Sequence, residues 1–308
     1  MDKTISSILV TGSSGTIGTR LCEKLLEKGF EVIGLDQKRN QWNQEVNKIT
    51  RIADLRDAKA FKGVPKAGMI IHLAANARVY NSVLDPSLAM DNMKTTFNAL
   101  EHARKSGIKK LIFASSREVY GNTENPMHRE EEARVEMAES PYSATKLAAE
   151  ALVRAYGNCY GMDFIITRFS NVYGMYDNSD RLVPNYIRRA SKGEELHVYG
   201  RDKTLDFTYI DDSVNGIMAA IERFDSAKND VYNIAAGKGS TILEVAELIK
   251  SLMKSSSNVV VSGNRPGEVV KYVADISKAR QRLGYDPKVG LEEGLRLSIE
   301  WFRERKLI

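Results

Sequence analysis

Two cysteines, Cys22 and Cys159, are all the thiols in 308 residues. That is too few for a disulfide framework or a cysteine-based zinc site, and it fits a reducing compartment. The four histidines, His72, His102, His128 and His197, lie far apart without metal-ligand spacing, so no metal is expected. No apolar run reaches the roughly 18 residues needed to span a bilayer. Met1-Asp2-Lys3-Thr4 leads into a short apolar run without the cleavage site of a signal peptide. Cytoplasmic location is therefore expected, with no membrane partner. The net charge of +5 is spread along the chain with no long basic run. That argues against nucleic acid and suits attraction of an anionic small molecule.

What is present is ordinary core-forming material, 43% hydrophobic and 28% charged, in a length that suits two domains or one interlocked unit. Short apolar runs at Ile5–Val10, Glu31–Leu35, Met69–Leu73, Lys110–Ala114 and Phe164–Arg168 alternate with amphipathic stretches at Gly18–Lys28, Pro86–Lys105 and Tyr142–Tyr160. Continuous apolar strands between helices mean an α/β chain with a parallel sheet covered on both faces. The second half is less regular. Leu182–Ser191, Asp212–Arg223 and Thr241–Met253 read as helical, with short strands at Leu196–Tyr199 and Val231–Ile234; Val259–Val261, Ile276–Leu283 and Leu291–Arg303 finish the chain. The polar segment Asn122–Glu139, with Glu130-Glu131-Glu132, reads as solvated.

After the first strand comes Thr11-Gly12-Ser13-Ser14-Gly15-Thr16-Ile17-Gly18, glycines spaced G-x-x-G-x-x-G. Glycine lets the chain reverse tightly and lets backbone N–H groups approach a pyrophosphate, and the next helix adds its dipole. Asp36 ends the second strand, 18 residues beyond Gly18. A carboxylate there accepts from both ribose hydroxyls and repels a 2′-phosphate, which favours NAD over NADP. Asp54-Leu55 suits the adenine.

Tyr142-Ser143-Ala144-Thr145-Lys146 puts a phenol and an ammonium on one helix face. A tyrosine is a poor base until a nearby cation stabilises its phenolate; it can then take a hydroxyl proton as hydride leaves the same carbon. Ser115-Ser116 ends the Lys110–Ala114 strand, at the sheet edge where open α/β sheets bind ligands. Ser116 can hydrogen-bond the reacting oxygen.

Together these pieces resemble the extended short-chain dehydrogenase/reductase family, in its nucleotide-sugar epimerase and dehydratase branch. The likeness runs through His72-Leu73-Ala74-Ala75, Asn92, Val119-Tyr120-Gly121, Arg168–Gly174, Asp206–Asp212, Arg265-Pro266-Gly267-Glu268 and Leu283-Gly284-Tyr285. It implies a Rossmann-type doubly wound parallel sheet over 1–169 plus about 206–235, interleaved with a smaller C-terminal α/β substrate domain over about 170–205 and 236–308. The NAD site would comprise Gly12, Ser14, Gly15, Thr16, Ile17, Gly18, Asp36, Gln37, Asp54, Leu55, Leu73, Ala74, Ala75, Asn92, Ser115, Tyr142 and Lys146. The sugar-nucleotide site would comprise Ser116, Arg117, Glu118, Asn171, Leu182, His197, Tyr199, Arg265 and Glu268. Tyr272 would gate the sugar 2-substituent and exclude N-acetyl sugars.

Two departures matter. Leu205 stands where the family usually has an arginine that touches the diphosphate; either Arg201 or Lys203 substitutes for it, or the substrate differs. Arg117-Glu118 stands where 4,6-dehydratases usually have Asp-Glu, which leaves dehydration without its proton donor. The resemblance thus implies a UDP-glucose/UDP-galactose 4-epimerase with tightly bound NAD and a nucleotide-sugar substrate, with Tyr142, Lys146 and Ser116 catalytic. The alternatives are a UDP-glucuronate 4-epimerase, a 4,6-dehydratase, a decarboxylase, a simple dehydrogenase, or a non-catalytic dinucleotide sensor. Relatives commonly dimerise through helices corresponding to about 92–105 and 142–160, so a homodimer is expected.

Overall fold

The structure is a computed structural model that describes residues 5–125, 127–264 and 269–308. The strands, in chain order, are β1 (Ser7–Thr11), β2 (Glu31–Asp36), β3 (Thr50–Ile52), β4 (Met69–His72), β5 (Lys110–Ser116), β6 (Met127–His128), β7 (Asp163–Phe169), β8 (Asn171–Tyr173), β9 (Leu196–Tyr199), β10 (Thr204–Tyr209), β11 (Asp230–Ile234), β12 (Gly239–Thr241), β13 (Val259–Ser262) and β14 (Lys271–Ala274). Five helices bear on the site: α1 (Thr16–Glu27), α2 (Ser87–Ser106), α3 (Pro141–Tyr160), α4 (Leu182–Ser191) and α5 (Ile210–Glu222).

A seven-stranded sheet runs β11-β7-β5-β4-β1-β2-β3, and every pairing in it is parallel. The chain begins at β1, winds outward to β3, then returns to β4 on the other side. The crevice between the C-terminal ends of β1 and β4 is therefore the switch point where such sheets take ligands. Burial on both faces explains the unbroken apolar strands: Ile8, Leu9, Val10, Met69, Ile70 and Ile71 are all inaccessible. Helix α1 turns Leu21, Cys22 and Leu25 into that core.

A second sheet runs β12-β10-β14-β6, with β8 added beside β10, and β9 pairs with β13 apart from both. Asp206 ties the second sheet together. Its carboxylate accepts from the amides of Ala236 (2.9 Å) and Gly237 (2.8 Å). Residues 206–209, expected with the large sheet, belong to the second one, whereas α5 packs on α1 and β11 closes the large sheet. The Asn122–Glu139 segment is not simply solvated. Glu130 is buried and accepts from the Asn233 amide at 2.8 Å, because the segment crosses the end of β11. No helix among the described residues is long and apolar enough to cross a membrane.

Candidate active site

The glycine turn is shaped by close approach. Gly12 has φ +76°, and a Cβ there would sit 2.8 Å from the Ala74 amide nitrogen. A Cβ on Gly18 would lie 1.9 Å from the Gly12 carbonyl oxygen, so α1 can dock under the turn only without one. The Ser14 hydroxyl is buried and has no partner among the described residues. Asp36 accepts from the amides of Ser14 (3.0 Å) and Lys38 (2.9 Å). Burial raises its pKa and those backbone bonds oppose the rise.

A cavity of about 530 Å³ opens over this turn. Gly12, Ser14, Gly15, Thr16, Asp36, Gln37, Asp54, Leu55, Leu73, Ala74, Ala75 and Asn92 border it. The glycine cradle, the orphaned Ser14 hydroxyl and the Asp36 carboxylate fit the phosphate and ribose of a dinucleotide. Asn92 faces this cavity but spends its amide on the Asn76 backbone, accepting from its N–H at 2.6 Å and donating to its carbonyl at 3.1 Å.

A second cavity of about 640 Å³ adjoins the first and shares Gly12, Gly15, Thr16, Leu73, Ala75 and Asp177 with it. Ile17, Gly18, Ser115, Tyr142 and Lys146 border this one, as do Ser116, Arg117, Glu118, Asn171, Leu182, His197 and Tyr199. Helix α3 owes its position to its start. Pro141 sits in the first turn, and Ser140 and Ser143 form a reciprocal cap. Ser116 lies beside the Tyr142 phenol on the cavity wall. Burial pushes the phenol's pKa above its usual value; Ser116, then Arg181 and Arg117, pull it down, while Glu118 raises it. Lys146 donates to the Ala114 carbonyl at 2.7 Å, with its ammonium 5.9 Å from the Tyr142 ring centroid. The ammonium is thus held against β5. Burial lowers its pKa to about 8.

Behind these groups lies a buried node. Ser115, which borders the cavity, donates from Oγ to Glu150 Oε1 at 2.5 Å. Arg168 grips both oxygens of Glu150, from Nε (2.9 Å) and Nη2 (2.7 Å), and its Nη1 reaches the Tyr120 hydroxyl (3.1 Å) and the Glu130 carbonyl (2.7 Å). The node locks β5, which carries Ser116, to α3, which carries Tyr142 and Lys146.

Tyr272 corrects an expectation. It is fully buried in β14 opposite Leu205, stacked on His128 (5.5 Å) and Tyr120 (5.6 Å), and does not border the cavity. Alternation along β14 turns its ring into this stack, so the gate assigned to it against N-acetyl sugars is not there. Arg265 and Glu268 lie outside the described residues. Of the two candidates to replace the arginine missing at Leu205, Lys203 is buried and borders the cavity, whereas Arg201 is exposed.

Several lining residues carry no sequence motif. Arg78, from the loop after β4, forms an ion pair with Asp180, from the segment after β8. That segment, residues 176–181, borders both cavities. It is tied to the glycine turn, where Thr16 Oγ1 donates to the Tyr176 carbonyl at 3.3 Å. Only the way the loops fold over the switch point brings these residues in.

Fold and site together define a dinucleotide-binding α/β protein in which a buried tyrosine faces a second cavity. The model of the NAD dependent epimerase/dehydratase family matches residues 8–235, and the chain belongs to that family. It is 33% identical over 309 residues to a putative UDP-glucose 4-epimerase of Methanocaldococcus jannaschii, covering 96% of this chain and 98% of that protein. It is 30% identical over 315 residues to a UDP-glucuronate 4-epimerase of Thermodesulfobacterium geofontis, covering 96% of each. The solved UDP-glucose 4-epimerase of Thermotoga maritima with UDP-glucose superposes with a TM-score of 0.89 at 32% identity, covering 97% of this chain and 99% of that one. Nucleotide-sugar decarboxylases and dehydratases are among the similar proteins too.

Proposed function

We propose that this protein is an NAD-dependent 4-epimerase of UDP-hexoses. The observation that carries this reading is the pairing of the Tyr142 phenol with Ser116 at the end of β5, on the wall of the second cavity. Gly12, Ser14, the start of α1 and Asp36 would hold the dinucleotide. When bound there, NAD would supply the hydride acceptor for C4 of the sugar and the donor for its return to the opposite face. Tyr142 takes the proton from the 4-hydroxyl, and Ser116 orients that oxygen. Lys146 supplies positive charge beneath the site. Glu118 is ion-paired with Arg117 at 2.7 Å, so it serves as a counter-ion there, which favours epimerisation over loss of water.

The test is to incubate the purified protein with UDP-galactose or UDP-glucose and catalytic NAD, the neutral pair expected from the sequence, and to resolve products by chromatography and mass. The 4-epimer of unchanged mass, without net NADH, supports the reading. A product lighter by one water overturns it. The charge on Lys146 is present below about pH 8 and lost as pH rises through that value. Turnover is therefore expected to fall on the alkaline side of about pH 8; a kcat profile flat to pH 10 would remove the requirement for the ammonium.

We further infer a homodimer through α2 and α3. Met90 and Phe97, seven residues apart on α2, are 56% and 49% exposed, and Tyr160 ends α3 at 45%. A second copy presenting the same helices would cover them. Sedimentation at micromolar concentration should give a dimer, and a Phe97→Glu variant should shift it to monomer. A wild-type monomer would end the idea.

A further inference from the structure

Tyr142, Lys146 and Glu150 of α3 follow one another at four-residue spacing and form a single stripe on the helix. All three are buried, and the stripe lies on the last three residues of β5. Lys146 donates to the Ala114 carbonyl at 2.7 Å, Ser115 Oγ donates to Glu150 at 2.5 Å, and Ser116 stands beside the Tyr142 phenol. The proposed chemistry employs the first two members of the stripe and leaves the third without a task. Glu150 borders neither cavity. Arg168, from β7, engages both of its oxygens, at 2.9 and 2.7 Å. Residues four apart on a helix have Cβ atoms about 5–6 Å from each other. The Glu150 carboxylate therefore faces the Lys146 ammonium one turn away, inside the protein.

We propose that Glu150 is a positioning residue for the acid–base pair: its carboxylate keeps Lys146 in the charged form and pins the end of β5 on which Ser116 stands. This rests on the reading of Tyr142 and Lys146 as the proton-handling centre. Burial alone drives an ammonium toward its neutral form. Burial is what brings Lys146 down, and Glu150 is the charge that opposes the fall. The other groups packed around the ammonium supply no second anion. His72, on β4, bonds Thr11 and Thr96, and burial takes its pKa down to about 3, so it is neutral wherever the protein is expected to work. Glu118, after β5, is ion-paired with Arg117. Tyr142 is a neutral phenol until it has given up its proton. The Phe113 ring, 4.9 Å from the ammonium, and the Ala114 carbonyl offer partial charge only. Arg168 is itself a cation. By gripping both oxygens it keeps the carboxylate on Ser115, so Glu150 does not draw Lys146 off the Ala114 carbonyl.

The test pairs two readouts on the NAD-loaded protein. One is the pH profile of kcat with UDP-galactose, from product chromatography. The other is the pH titration of the Lys146 Nζ resonance in protein carrying isotope-labelled lysine, assigned with Lys146→Met. Glu150→Gln removes the anion and is expected to move the alkaline limb of kcat and the Lys146 titration down by about one pH unit, with KM for the sugar within a few-fold of wild type. Arg168→Met frees the carboxylate from its partner and is expected to move both up. Opposite shifts from two variants that both loosen the fold cannot come from the loosening. If either single variant fails to fold, Arg168→Met/Glu150→Gln, which strands no charge, decides; a downward shift is expected, because Glu150 is the charge that acts on Lys146. A Lys146 titration unmoved in the folded variants, or shifts of one sign in both single variants, overturns the proposal. So does a Lys146 titration that shifts while the kcat limb stays in place. No turnover by wild type, with Lys146 shifting as expected in the variants, overturns the epimerase reading and supports the charge assignment.

Discussion

Tyr142→Phe is expected to lower kcat by about 10³-fold, within the range for losing a positioned general acid–base group. Removal of one oxygen leaves the ring that packs at the start of α3, and the variant should keep wild-type thermal stability. NAD and UDP-sugar affinities should stay within a few-fold of wild type, since the glycine turn, Asp36 and the sugar-nucleotide wall are untouched. That pattern, kcat lost and binding kept, marks an interaction made mainly in the transition state. Ser116 cannot take over as base, because an aliphatic hydroxyl is far less acidic than a phenol. Turnover within tenfold of wild type, measured by product chromatography, would remove Tyr142 from the mechanism.

The second large effect is on stability. Arg168→Met is expected to destabilise the fold by about 3–5 kcal/mol, the usual cost of removing one partner of a buried ion pair. Glu150 is 5% exposed and would keep a charge with the Ser115 hydroxyl as its one remaining hydrogen-bond partner among the described residues and only the Lys146 ammonium to oppose it at longer range. The bonds of Arg168 to the Tyr120 hydroxyl and the Glu130 carbonyl would go as well. Since whole-domain stability is only about 5–15 kcal/mol, much of the margin disappears. The double variant Arg168→Met/Glu150→Gln should recover part of the loss, because it removes the stranded charge. Urea unfolding checks both. A single-variant loss under 1 kcal/mol would show that the node carries little.

Legibility in the sequence followed the strength of the local signal. The parallel strands were readable because burial on both faces leaves unbroken apolar runs such as Ile8-Leu9-Val10. The glycine turn was readable because two of its positions exclude a Cβ outright. The phenol and ammonium of α3 were readable because helix geometry places i and i+4 on one face. The short strands of the second sheet were not. The three-residue β8 and β12 carry too little pattern to register, and β14 mixes a half-buried Val273 with a fully buried Tyr272. The fate of Tyr272 turned on which side of β14 faces the cavity, and a register fixed by pairing with Leu205 cannot be counted from Arg265. Glu130 was misread as solvated because it bonds into the node around Arg168, whose members are far apart in sequence and meet only in the fold.

Residues 176–181 wall the cofactor cavity on one side and the sugar cavity on the other, pinned at Thr16 and clasped by Arg78. The two occupants therefore do not come and go independently. A dinucleotide leaving past this segment must disturb the wall against which the sugar rests, and a seated sugar braces the exit behind the dinucleotide. For a cycle that returns its electrons to the molecule that lent them, that arrangement suits a resident redox partner and a travelling sugar: one tenant stays through many visits of the other.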